Sequence, residues 1–131
     1  MSPPIPEAYF QTVFVLDGAP LPLPPAFAIV TAFNPMDEVL PLEANTIADG
    51  QLKASLLTKR LSPFLAIGQS PDGSHSEPGW AFQASLESAL EIARAFHQRA
   101  FWWIENDQLY LIGCENSKPI PVARFSDRLL P

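Results

Sequence analysis

Residues 100–112 read Ala-Phe-Trp-Trp-Ile-Glu-Asn-Asp-Gln-Leu-Tyr-Leu-Ile and carry the strongest structural signal in the chain. Two runs rich in aromatic and branched apolar residues are separated by three residues that favour a turn, which predicts a β-hairpin. Because side chains alternate along a strand, Trp103 faces one side of the sheet and Trp102 faces the other. Both faces then need cover, which we expect from helices on both faces or from a dimer contact.

Working outward from the hairpin, short apolar runs bounded by turn-forming residues predict further strands. Strands are predicted at residues 8–16, 27–33, 64–68, 80–84, 100–104 and 108–112, with a last extended piece at 120–125. The proline-rich residues 20–25 are expected to be a stiff connection, because proline donates no backbone hydrogen bond.

Two segments have apolar residues at the three- and four-residue steps of an α-helix. The first, residues 42–61, contains Gly50, which weakens a helix by up to about 1 kcal/mol relative to alanine. Its predicted inward stripe is Ala44, Ile47, Ala48, Leu52, Leu56 and Lys59. The second helix follows Ser85, a residue type that commonly caps helix N-termini.

This order predicts an α+β domain with a mixed, mostly antiparallel sheet of about six strands and two main helices, in the order β-β-α-β-β-α-β-β. Residues 26–68 and 78–104 each fit a strand–helix–strand crossover, which would place parallel neighbours in the sheet. With 131 residues we expect a single domain, with extended tails at residues 1–7 and 126–131.

Charge and composition disfavour several classes of partner. The net charge is −6, and six acidic residues but no lysine or arginine precede Lys53. Nucleic acid is not expected as a partner, because no positive stripe is visible, and no apolar run is long enough to span a membrane. Cys114 is the only cysteine and no secretory signal is visible, which predicts a cytoplasmic protein. Both a monomer and a homodimer remain open.

Four segments in a fixed order are distinctive. They are Thr31-Ala32-Phe33-Asn34-Pro35, then Glu43 with Asn45, then Glu77-Pro78-Gly79-Trp80, and then Ala-Arg-Ala-Phe-His-Gln-Arg-Ala at residues 93–100. Together they resemble the bacterial domain of unknown function 3293 family over about residues 26–128. The resemblance implies a small stand-alone bacterial domain and implies no activity, so it assigns no catalytic role to any residue.

Asn34, Asn45, Glu77 and Gln98 are the candidate ligand-binding residues. Asn34 ends a predicted buried strand, where functional groups are often exposed, although asparagine before proline also favours a simple turn. Asn45 either points toward the Asn34 loop or faces water. Gln98 either caps the end of the second helix or projects toward Asn34.

Glu77 is the candidate for acid–base chemistry. It lies beside Pro78 and Trp80, and apolar surroundings raise the pKa of a carboxyl group, as general acids require. A partner such as Arg94 or Arg124 would instead keep the carboxylate ionised and structural. The sequence leaves both readings open.

Metal, cofactor and thiol chemistry have weaker support. His75-Ser76-Glu77 supplies only two metal ligands, and no glycine-rich cofactor fingerprint is present, so we expect no metal and no cofactor. Nothing near Cys114 in sequence would activate its thiol.

Three functions follow as hypotheses. The first is a non-catalytic or regulatory module that binds a small ligand or a peptide through the four polar residues. The alternative is a small hydrolase or transferase in which Glu77 is the general acid or base and Asn34 or Asn45 stabilises developing charge. The third is a protein-interaction subunit that docks a partner through the acidic N-terminal half or an exposed tryptophan.

Overall fold

A computed structural model describes residues 5–131. Within this part of the chain the backbone forms seven strands and two α-helices. The strands are β1 (Val13–Asp17), β2 (Ala26–Val30), β3 (Phe64–Gln69), β4 (Ser76–Phe82), β5 (Ala100–Glu105), β6 (Gln108–Gly113) and β7 (Pro119–Arg124), and the helices are α1 (Leu42–Thr58) and α2 (Leu86–Ala95). Short 3-10 turns occupy Glu7–Gln11, Pro35–Asp37 and Phe125–Arg128. Neither helix of residues 5–131 is long and apolar enough to cross a membrane.

The strands form one curled sheet in the order β1-β3-β4-β2-β5-β6-β7, and each neighbouring pair is antiparallel. The predicted α+β class and the mostly antiparallel sheet are confirmed. The expected parallel neighbours do not form, because β4 lies between β2 and β3, and β2 lies between β4 and β5. Each crossover does join two strands that run in the same direction, but a third strand separates them.

The two faces of the sheet are covered differently. Both helices pack on one face, where Leu52 and Leu56 of α1 and Ala93 of α2 join a core that includes Trp103. The other face, which holds Trp102, is covered by segments from near both ends of the chain. The expectation of helices on both faces is therefore wrong, and Phe14, Phe27, Phe64 and Phe125 fill the space that a helix would have taken.

The predicted inward stripe of α1 is correct for Ala48, Leu52 and Leu56 and wrong for Ala44, Ile47 and Lys59. Its buried residues are Asn45, Leu52 and Leu56, whereas Ala44 is exposed and Ile47 is 56% exposed. The first turn of the helix buries the polar side chain of Asn45 because the preceding loop supplies hydrogen-bond partners for its amide.

Two strands begin at different places from those predicted. β1 begins at Val13, since the preceding residues form a 3-10 turn, and β4 begins at Ser76 rather than at residue 80. Pro78 is tolerated inside β4 because β2 pairs with β4 only over Trp80–Phe82, so the edge that lacks an amide hydrogen has no ladder partner there.

The C-terminal residues are not the extended tail that was expected. They begin with a 3-10 turn, and Leu129 forms a β-bridge with Phe14. Of the predicted N-terminal tail, residues 1–4 lie outside the described residues.

Candidate functional site

A cavity of about 350 Å³, called here the sheet cavity, lies on the face of the sheet that has no helix. Its floor consists of residues that the strand alternation places on one face of three neighbouring strands. These are Ile29, Ala66, Gly68 and Gly79, and Trp102 of β5 forms a wall beside them. Alanine and glycine at three of the four floor positions leave the space that larger side chains would fill. The volume is in the range of small-molecule pockets, roughly 300–1,000 Å³.

The roof of the sheet cavity comes from the N-terminal 3-10 turn. Pro6, Ala8 and Tyr9 line the cavity from this side. The rings of Tyr9 and Trp102 lie with their centroids 5.8 Å apart. The buried indole Nε1 of Trp102 has no hydrogen-bond partner within residues 5–131. The cavity therefore has aromatic walls above a floor of small residues.

Glu77 reaches the sheet cavity because β4 begins early. In a strand, residues 77, 79 and 81 share one face, and this face carries Gly79 in the floor and Ala81 in the core. The Glu77 side chain is 25% exposed, and His75 Nε2 lies 2.9 Å from its Oε2. Its Oε1 has no hydrogen-bond partner among the described residues. Glu77 thus presents an available carboxylate oxygen at the rim.

Behind Glu77, Asn34 and Asn45 are hydrogen-bonded to each other. The Asn34 backbone N–H donates to Asn45 Oδ1 at 2.9 Å, and Asn45 Nδ2 donates to Asn34 Oδ1 at 2.8 Å. Asn34 Oδ1 also accepts from the Leu40 N–H at 3.0 Å, and Asn34 Nδ2 lies 3.5 Å from Glu77 Oε2. These bonds fix the loop between β2 and α1 and place a donor behind the carboxylate.

A second set of hydrogen bonds lies on the side of the cavity formed by Tyr9. The Tyr9 hydroxyl donates to Asp37 Oδ1, and Arg99 Nε donates to Asp37 Oδ2. Burial raises the pKa of Tyr9 well above its ordinary value, and the hydrogen bond to Asp37 and the charges of Asp37 and Glu77 add to this effect. Tyr9 is therefore a neutral donor, and both oxygens of Asp37 are engaged.

The loop that carries Asn34 and Asp37 has an unusual backbone. Asn34, Met36 and Asp37 all have positive φ angles, of 46°, 51° and 64°. Asparagine and aspartate tolerate this region, but methionine does so rarely, so the strain lies at Met36. A hydrogen bond from the Met36 N–H to the His97 carbonyl, at 2.8 Å, helps to hold the conformation.

Of the four residues predicted for the site, only Glu77 lines the sheet cavity. Asn34 and Asn45 lie in contact, as expected if Asn45 points toward the Asn34 loop. They do not line the cavity, however, and instead support its rim from behind. Gln98 is 4% exposed, and its Nε2 donates to the carbonyls of Phe33 and Phe96. It thus ties the chain after β2 to the end of α2.

The arginines weighed as partners of Glu77 bind elsewhere. Arg94 Nε donates to the Cys114 carbonyl at 2.8 Å, and Arg124 Nε lies 3.6 Å from Asp107 Oδ2. Cys114 lies outside the sheet cavity, and burial raises the pKa of its thiol to about 11. In the part of the chain that is described, no three His, Cys, Asp or Glu side chains are grouped to hold a metal ion.

Sequence reasoning did not identify Tyr9, Thr31, Asp37 and Trp102 as lining residues. A usable signal existed for the floor, because residues 66 and 68 and residues 79 and 81 have the period of two that places small residues on one face. No local signal existed for the contacts of Asp37, since Tyr9 and Arg99 lie 28 and 62 residues away in sequence.

Comparison with known proteins gives one match. The family model described as "Protein of unknown function (DUF3293)" matches residues 30–101, more than half of the chain. The matched segment contains Asn34, Asp37, Asn45 and Glu77, whereas Tyr9 and Trp102 lie outside it. No curated protein and no solved structure matches the chain.

Proposed function

The chain belongs to the family of proteins of unknown function DUF3293, and we propose that it is a binding module that holds a small molecule in the sheet cavity. One observation carries the proposal. The cavity combines an apolar floor and aromatic walls with a carboxylate, Glu77, that has a free oxygen. Binding pockets for small molecules usually have this composition, in which a few polar groups orient a ligand on apolar surface.

Recognition is favoured over catalysis because the hydroxyl groups of the cavity are already engaged. Tyr9 donates to Asp37, Thr31 Oγ1 donates to the Pro78 carbonyl at 2.8 Å, and Ser70 Oγ donates to Asp72 at 2.7 Å. Nucleophilic catalysis requires a hydroxyl or thiol that is activated by an adjacent base. The described lining residues supply no such pair.

A small hydrolase or transferase is the second candidate, because two contacts favour it. Glu77 lies at a concave site, and it has both an amide, Asn34 Nδ2 at 3.5 Å, and an imidazole, His75 Nε2 at 2.9 Å, beside its Oε2. A general acid or base needs a substrate within hydrogen-bond reach, and Glu77 Oε1 offers that position. In this reading Glu77 transfers a proton and Asn34 supports the carboxylate.

An interaction subunit has less support. Trp102 and Trp103, the two tryptophans of β5, are 7% and 8% exposed and offer little surface to a partner. The acidic N-terminal half remains the only basis for that hypothesis. We also propose a cytoplasmic location for a bacterial protein, which the single free thiol of Cys114 supports.

The test of the binding proposal is a thermal-shift screen of small metabolites on the wild type and on two leucine variants. Ala66→Leu fills the floor of the sheet cavity, whereas Ala54→Leu adds the same side chain to the exposed side of α1. Compounds that bind the folded protein raise its Tm. We expect them to act on the wild type and on Ala54→Leu but not on Ala66→Leu. Equal shifts in all three proteins would place the compounds elsewhere and remove the proposal.

The same compounds separate binding from catalysis. Each is incubated with the wild type and with Glu77→Gln, and its mass is followed over time. The binding proposal expects unchanged compound with both proteins. Turnover by the wild type that disappears in a folded Glu77→Gln protein would favour the second candidate.

A further inference from the structure

The ionisable groups of the sheet cavity are unevenly distributed. Asp37 and Glu77 both line it, and among the lining residues in the described chain there is no lysine or arginine. Arg99 neutralises Asp37 from outside the cavity, through its contact with Asp37 Oδ2. Glu77 has no lysine or arginine partner, because the neighbours of its Oε2 are the neutral amide of Asn34 and the imidazole of His75, which is 65% exposed.

The surroundings of Glu77 make its charge effective within the cavity. The floor is apolar, and water is displaced from it when a ligand binds, so an ion pair formed there is screened less than one at the surface. The same carboxylate would repel an anionic ligand. The free oxygen, Glu77 Oε1, therefore selects for a ligand that donates a hydrogen bond and carries positive charge.

The walls suit the same kind of ligand. Tyr9 and Trp102 present aromatic rings to the cavity, and the negative face of an aromatic ring attracts a cation within about 6 Å. The small residues Ala66, Gly68 and Gly79 leave room for an apolar group beneath those rings. The cavity volume of about 350 Å³ accommodates a ligand of one ring or a short chain.

Resting on the proposed function, we infer that the ligand of the sheet cavity is a small amine. Its ammonium group pairs with Glu77 Oε1, and its apolar part lies against Trp102 and the floor. Asn34 is a positioning residue, because it holds the opposite oxygen of the Glu77 carboxylate without lining the cavity.

The experiment compares three probes of one shape and different charge: 2-phenylethylamine, 2-phenylethanol and phenylacetate. Each is titrated into ¹⁵N-labelled wild-type protein, and the Kd is taken from the shifts of the Gly68, Gly79 and Trp102 amides. We expect the amine to bind roughly tenfold more tightly than the alcohol, because a charge-assisted hydrogen bond is stronger than a neutral one, and phenylacetate to bind most weakly. The preference for the amine falls as salt is added.

Two variants locate the charge that is responsible. Glu77→Gln keeps the shape of the side chain, and we expect it to bind the amine and the alcohol equally. Glu91→Gln makes the same change on the exposed side of α2, across the sheet from the cavity, and is expected to keep the wild-type preference. Because the comparison of amine with alcohol is made first on the wild type, the inference is testable even if Glu77→Gln does not fold.

The outcomes distinguish the inference from the proposed function. If the alcohol or the acid binds as tightly as the amine at the three amides, the inference is overturned while the binding module stands. If the preference survives in a folded Glu77→Gln protein, the pairing with Glu77 is wrong. If compounds from the metabolite screen shift the cavity amides but none of the three probes does, the amine inference fails and the binding proposal stands. If no compound binds in the sheet cavity, the inference and the binding proposal both fail.

Discussion

Asn34 and Asn45 exchange two hydrogen bonds across the entry to α1, with the backbone N–H of one and the side-chain amide of the other as donors. Asn45 is 4% exposed, so water does not replace these bonds when one partner is removed. The pair joins a left-handed residue of the loop to the first turn of a helix. The pair also reaches Glu77, because Asn34 Nδ2 lies 3.5 Å from the Oε2 of its carboxylate.

Replacing Asn45 with alanine leaves the Asn34 N–H without its acceptor in a nearly buried place. We expect Asn45→Ala to lower the free energy of unfolding by about 1–3 kcal/mol. Equilibrium urea denaturation measures the change. Thr46→Ala, at the next and exposed position of α1, is the control and should change stability by less than about 0.5 kcal/mol. Equal effects of the two substitutions would contradict the structural role of the asparagine pair.

Gly50 offers a stabilising substitution. It lies inside α1, and a Cβ atom built on it meets nothing within 4 Å. We expect Gly50→Ala to raise the free energy of unfolding by roughly 0.5–1 kcal/mol, since alanine loses less conformational entropy in a helix. Gly79→Ala is the contrasting variant, because its Cβ would lie 3.0 Å from the Val30 carbonyl oxygen. It should lower the Tm, and stabilisation by both substitutions would refute this description of β4.

The thiol of Cys114 should react slowly in the folded protein. Burial raises its pKa from 9.0 to about 11, so at pH 8 the thiolate is a minor species and access is limited. Because the folded pKa exceeds the unfolded one, the associated stability is present below about pH 9 and is lost as pH rises through 11. Labelling with a disulfide reagent at pH 8 should be slow in buffer and fast in guanidinium chloride. Fast labelling in buffer would show that the thiol is accessible.

Asp72 gives a measurable titration in acid. Hydrogen bonds from the Ser74 N–H and from the Ser70 and Ser74 hydroxyls lower its pKa from 3.8 to about 2. A folded pKa below the unfolded one stabilises the loop above about pH 3.8, and this contribution is lost as pH falls through 2. Carboxyl ¹³C shifts followed by NMR should show a midpoint near 2. A midpoint near 4 would mean that the serine bonds do not persist in solution.

The parts of the fold that sequence predicted best are those specified by local chemistry. Asn106 and Asp107 have φ angles of 49° and 67°, which suit a tight two-residue turn, and β5 and β6 pair in the predicted hairpin. Ser85 caps α2 as expected, with its Oγ accepting the Ser88 N–H at 3.1 Å. In each case the residues that specify the structure are neighbours in sequence.

The remainder depended on contacts that local patterns do not report. Apolar spacing in α1 fits more than one rotation of the helix, and the observed rotation buries Asn45, whose hydrogen bonds to the preceding loop are not visible in the apolar pattern. The early start of β4 was not predicted because Pro78 lies within it. Proline is tolerated in a strand only where the strand edge is unpaired, and the pairing of an edge is a property of the whole sheet. For the candidate site, Glu77 was recognisable as a residue, but its placement beside Tyr9 and Trp102 required the assembled sheet.

The roof of the sheet cavity is attached differently from its floor. The turn Glu7–Gln11 pairs with no strand, whereas Gly68 and Gly79 lie in the hydrogen-bonded ladder between β3 and β4. Segments without ladder bonds open at lower free energy than core strands. The roof can thus open while the sheet stays intact. Substitutions within this one short turn would therefore change the shape of the cavity while leaving the sheet as it is.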